Sequence, residues 1–231
     1  MSLYTETFDD GPGGWGSWSS NSKGPKALQV KNSAIISRSP WWIDYNHAPP
    51  GGGYMHLLFA LRTTGVQGEH EREVNGANRF VAGNHSTDFA GAKITLRLAG
   101  ELITHNAELV LLIQGCVDDL VVPWLLIGQP LRVEKEWTVQ TIHLTDDPTQ
   151  WKSMGARHDR GDMYAERPLE KVLRNLNGNI LLALHPLHIE PMEPLDGDMH
   201  LQRPEKDYPV WRSRLPEGYV KMDEIRIEFS D

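Results

Sequence analysis

The 231-residue chain carries 23 Lys and Arg against 31 Asp and Glu, a formal net charge of −8, and one cysteine, Cys116. That composition excludes an internal disulfide and argues against a nucleic-acid partner, since phosphate binding needs a concentrated basic face. No leader-like basic and apolar opening and no apolar run of bilayer length is visible, so a cytoplasmic protein without membrane insertion is the default expectation, and secretion stays open if the sequence is truncated.

Along the chain, short apolar runs between turn residues predict strands over 3–8, 27–31, 34–38, 54–63, 92–100, 107–115, 137–144, 179–189 and 219–229. In "AKITLRLAG" the residues Ile94, Leu96 and Leu98 alternate with Lys93, Thr95 and Arg97, the pattern of a half-buried antiparallel strand. "ELVLLIQG" and "NILLALH" are continuously apolar, as expected of strands covered on both faces. Two helices are expected in connections. "DDPTQWKSM" has an aspartate cap followed by Pro148, and "RPLEKVLRNLNGN" has Pro168 at its start, an apolar stripe, and Gly178 past its end. With Gly 21 and Pro 15 spread through the chain, the expected fold is all-β: a single-domain jelly-roll β-sandwich over 1–231 with two short helices in connecting loops.

Period-2 phasing sets two carboxylates against this pattern. Asp223 is in phase with Ile225, Ile227 and Phe229, and Glu6 with Tyr4 and Phe8, with Asp9 just beyond. A buried carboxylate is costly unless paired or bound to a cation, and first and last strands commonly lie close in jelly rolls. Glu6, Asp9 and Asp223 are therefore a candidate ligand set for a structural Ca²⁺, which takes six to eight oxygens. The alternative is that the acids reach water or pair with Lys221 or Arg226.

"TETFDDGPGGWGSW" resembles the opening strand and Gly-Trp turn of galactose-binding-like jelly rolls, the fold of many carbohydrate-binding modules. The longer pattern is similar to the laminin B (laminin IV type A) domain. It runs through "RSPWWIDYNHAPPGGGYMHLLFAL", "AKITLRLAG", "EWTVQTIHLTDDPTQWKSM", "PLEKVLRNLNGNILLALH" and "MDEIRIEF". The resemblance implies a β-sandwich and a recurring calcium site, and it supplies no catalytic residues. Polar insertions near 155–168 and 190–218 depart from it.

Three functions fit these residues. The first is a carbohydrate-binding module in which Trp41, Trp42 and Tyr45 stack on sugar rings and Asp44 and His47 bond hydroxyls, joined by Arg160 and Trp211 from the insertions. Because adjacent residues of an extended segment point opposite ways, one of Trp41 and Trp42 is expected in the core. The second is an enzyme acting on a glycan or glycoside, drawing acid and base from His158, Asp159 and Tyr164 in the insertion, or from His185 and His188. The third is an assembly or adhesion module with its aromatic loops at a protein interface.

Overall fold

A computed structural model describes residues 2–20, 24–44, 47, 52–155, 163–190 and 212–230. In chain order the strands are β1 (Leu3–Glu6), β2 (Ser17–Ser20), β3 (Gly24–Lys26), β4 (Gln29–Val30), β5 (Ile35–Arg38), β6 (Ile43–Asp44) and β7 (Tyr54–Arg62). Helices α1 (Glu69–Asn75) and α2 (Arg79–Ala82) follow. Then come β8 (Lys93–Ile103), β9 (Glu108–Val117), β10 (Leu120–Leu131), β11 (Thr138–His143), β12 (Trp151–Ser153), α3 (Leu169–Arg174), β13 (Asn179–Leu187) and β14 (Glu217–Glu228).

Two six-stranded antiparallel sheets make a jelly-roll sandwich. The first runs β11-β8-β14-β5-β4, with β1 also on β14, and the second runs β12-β10-β9-β13-β7-β6. The closing strand β14 lies inside its sheet. One edge pairs with β8 along nearly its whole length, and the other is shared between β5, at Tyr219–Met222, and β1, at Ile225–Glu228. Residues from both sheets form one continuous core, with Leu96, Ile225 and Ile227 meeting Phe59, Leu111 and Leu182.

The alternation in β8 holds: Ile94, Leu96 and Leu98 are fully buried, while Lys93, Thr95 and Arg97 face partly outward. Pairing between the last and first strands holds as well. Two expectations change. The segment 147–154 is not a helix. Asp147 accepts from the Thr149 N–H and starts one 3-10 turn, Pro148–Gln150, but Trp151–Ser153 then pairs with Trp124–Leu126. Strand pairing that buries Trp151 outweighs the local capping signal. The sequence reading also passed over β10, because Pro123 and Pro130 interrupt it. Pro123 sits opposite Met154, just past the end of β12: its carbonyl accepts from the Met154 N–H, and the Met154 carbonyl that an amide at 123 would have faced accepts from the Gly52 N–H instead.

At one edge the sheets are joined by side chains. The Gln129 amide accepts from the His143 N–H and donates to the His143 carbonyl, and the Gln140 amide treats Arg132 the same way. Each amide imitates a strand residue across the gap between β10 and β11.

Candidate functional site

On the second sheet, side chains of one parity, such as Phe59, Ile113, Ile180 and Leu182, belong to the core. The opposite parity presents Ala60, Gln114, Asn179 and Leu181, aligned by the register Asn179↔Gln114 and Leu181↔Ala60. These line a cavity of about 650 Å³ on the face turned away from the first sheet. Its described lining also includes Trp18, Trp42, Asp44, Leu57, Cys116, Val121, Met163, Tyr164 and Asn177.

Each wall is set by the backbone. Trp18 is carried by β2, which the Gly16–Ala60 bridge ties to β7. Trp42 and Asp44 flank Ile43 on β6, whose pairing with His56 and Met55 fixes their direction. Tyr164 is added beside β10: the Val121 N–H donates to the Met163 carbonyl (2.8 Å) and the Ala165 N–H to the Val121 carbonyl (3.0 Å). Gly178 is required where β13 meets β9, since a Cβ there would lie 2.2 Å from the Gln114 carbonyl oxygen.

The polar groups form a chain. Asn179 Nδ2 donates to Gln114 Oε1 (3.4 Å), and Gln114 Nε2 lies 3.2 Å from His47 Nε2. Asp44 Oδ2 is 3.8 Å from the same ring, and the Tyr164 ring packs edge-on against it at 5.4 Å. Asp44, His47 and Tyr164 are all buried. Among the described residues the buried Trp42 indole N–H has no acceptor.

The structure thus gathers Trp42, Asp44, His47 and Tyr164, and separates others. Trp41 turns into the space between the sheets, where its Nε1 donates to Ser37 Oγ (2.8 Å) and its ring packs at 5.8 Å from His56. His185 is buried further along β13, bonded through Nε2 to the Gly52 carbonyl (3.1 Å), and burial pulls its pKa down to about 4. His188 is exposed beyond the strand end. Tyr45, His158, Asp159, Arg160 and Trp211 lie outside the described residues. The stretch 191–211 lies outside them too, and its flanks are tied together, with the Arg212 N–H on the Glu190 carbonyl (2.8 Å).

The sequence reading missed Trp18, Gln114, Asn177 and Asn179. A usable signal was present: Gln114 and Asn179 are amides at the ends of otherwise apolar strands, each beside a glycine.

The three carboxylates considered for calcium do not gather. Glu6 is buried as its phase requires, but Oε1 takes Arg79 Nη1 (2.6 Å) and the Phe8 N–H (3.0 Å), leaving Oε2 without a partner among the described residues. Asp9 is exposed, and hydrogen bonds from Ser33 and Thr7 hold its carboxyl below the usual range. Asp223 does not face the core. A bulge between Met222 and Glu224 shifts the phase, so Val220 and Met222 point inward before it and Ile225 and Ile227 after it. Asp223 Oδ2 instead accepts from Arg97 Nη1 (2.7 Å). Partial burial raises its pKa and Arg97 opposes that rise. Among the described residues, no group of three or more His, Cys, Asp or Glu is placed to hold a metal ion.

No protein-family model matches the chain, and no curated protein matches it. Among solved structures it is similar to a CBM4 (14% identity, TM-score 0.39, 97% of this chain and 100% of that one). It is also similar to the L4b domain of human laminin alpha-2 (9%, 0.42, 99% and 98%) and to CtCBM11 (10%, 0.39, 100% and 97%). Among the described residues no helix is long and apolar enough to cross a membrane.

Proposed function

We propose that the chain is a carbohydrate-binding β-sandwich whose ligand enters the cavity on the outer face of the second sheet. The observation that carries this reading is the lining itself: Trp18, Trp42 and Tyr164 stand around one space with the amides of Gln114, Asn177 and Asn179 and the carboxylate of Asp44. Flat apolar rings suit the C–H faces of a pyranose, and amides with a carboxylate suit its hydroxyls. The described lining contains no Lys or Arg, which favours a neutral sugar over a phosphate or uronate. The Trp42 N–H, without an acceptor among the described residues, is a donor that a hydroxyl oxygen can satisfy.

The test is a glycan array followed by calorimetry on the best ligand, with Trp18→Ala as the main variant because Trp18 is only half buried. Affinity should fall by about 1–3 kcal/mol, the range for a lost aromatic stacking partner, while the melting temperature changes little. Unaltered affinity in Trp18→Ala would remove the cavity from the reading. The same ligands are assayed for turnover, because Asp44 and Tyr164 set a carboxylate and a phenol in the lining and the buried His47 imidazole packs against both. Product formation would replace the binding reading with the glycan-acting enzyme.

A further inference from the structure

The solvent face of the first sheet carries a second organised feature, far from the cavity in the register of the fold. Across it runs an alternating row of cations and rings. The Arg97 guanidinium lies 5.1 Å from the centre of the Trp137 ring, and Lys221 Nζ lies 5.0 Å from the same ring. Lys221 is also 5.9 Å from the Tyr219 ring, and Arg38 covers Tyr219 at 4.6 Å.

Sheet register explains the row. Lys221 is opposite Ala99 on one side and Ile36 on the other, and Tyr219 is opposite Arg38. Trp137 immediately precedes β11, one place beyond the Thr138↔Leu98 pair, and so stands beside Ala99. The small Ala99 side chain lets the indole and the ammonium meet above it. The row therefore crosses four strands, roughly 15 Å at ordinary strand spacing. Its charges are held in place by the rings rather than left on free stems.

Charge matching on this face is incomplete. Arg97 is neutralised by Asp223, and nearby Glu101 and Glu224 are taken by Lys135 and Arg226. Among the described residues Arg38 and Lys221 form no direct ion pair with a carboxylate, and Lys221 shares the field of Asp223 with Arg97. On a chain of net charge −8, a fixed line of cations with two left over is a local exception. The cations lie over rings that are themselves half-buried, so this face presents charge ahead of flat apolar surface.

We infer that this face docks a linear anionic saccharide, carboxylated or sulfated, along the Arg38–Tyr219–Lys221–Trp137–Arg97 row. A fixed line of charges fits a chain bearing regularly spaced anions, and the acidic remainder of the molecule opposes the close all-round approach that a nucleic-acid duplex requires. The inference stands apart from the cavity: it uses the opposite sheet and a ligand of different charge.

Affinity electrophoresis at low ionic strength tests it, with polygalacturonate and heparin as the two anionic saccharides. A neutral glucan, polyglutamate and single-stranded DNA are the controls. Retardation by either anionic saccharide, weakening as salt rises, is expected, and the stronger of the two identifies the anion. Arg38→Gln with Lys221→Gln should weaken it roughly tenfold, each lost charge counting for the few-fold that an exposed ion pair contributes. Trp18→Ala should leave it intact. Melting curves accompany the variants, and if the double variant is unfolded the exposed Arg38→Gln alone carries the comparison. The inference is overturned by no retardation with either saccharide, by unchanged retardation in folded variants, or by equal retardation with polyglutamate or DNA.

Discussion

Trp41 and Trp42 share a peptide bond and serve opposite sides of one sheet. Trp41 fills the space between the sheets, so Trp41→Ala should cost about 3–5 kcal/mol of stability, as other large core truncations do, read from denaturant melts. Extended geometry made it legible that the pair would divide. Which ring faced inward was not legible, because that depends on Ser37 and His56, which arrive from other strands. His56 itself donates from Nδ1 to the Trp42 carbonyl (3.1 Å), and burial lowers its pKa to about 4. His185 is lowered similarly, against an ordinary value of 6.5 for both. Between pH 6.5 and about 4 the unfolded chain therefore binds more protons than the folded one at these two sites. Their effect on stability is nil above that window, and stability is lost as pH falls through it. Melting temperature should decline from pH 7 to 4, and His56→Gln should flatten the decline. A slope identical to wild type would place the acid sensitivity in other groups.

At the scale of elements, period-2 phasing read β8 correctly and misplaced Asp223, for one reason. Alternation survives only while no residue is inserted, and the bulge in β14 inserts one without any mark in the residue types. The consequence for calcium is direct. Arg79 and Arg97 already answer Glu6 and Asp223, so chelator and millimolar Ca²⁺ are expected to give the same melting temperature. A rise with Ca²⁺ that disappears in Glu6→Gln and in Asp223→Asn would restore the cation. The glutamine stitches between β10 and β11 were equally hidden in the sequence, since nothing local marks Gln129 or Gln140 as a substitute for backbone. Gln140→Leu should cost on the order of 1 kcal/mol. Amide exchange should quicken at Arg132, whose N–H would lose its acceptor.

For the molecule as a whole, the alternating and continuous apolar runs were enough to read a two-sheet β fold. They did not show which strands pair, and the cavity depends on that pairing. Gln114, Asn179 and Ala60 are far apart in sequence and become one wall only through the order β9-β13-β7. The pairing of β14 with β8, β5 and β1 also has a consequence for how the chain is made. Every strand of the second sheet is complete by Leu187, so that half can begin to assemble while synthesis continues. The first sheet has no centre until Glu217–Glu228 has been added. Until then β8, β5 and β1 present open edges and half a core, because each of them pairs with a strand that follows it in the chain. A nascent chain stalled before residue 217 should accordingly be sensitive to protease in β1, β5 and β8, while the same strands become resistant once Glu217–Glu228 is released.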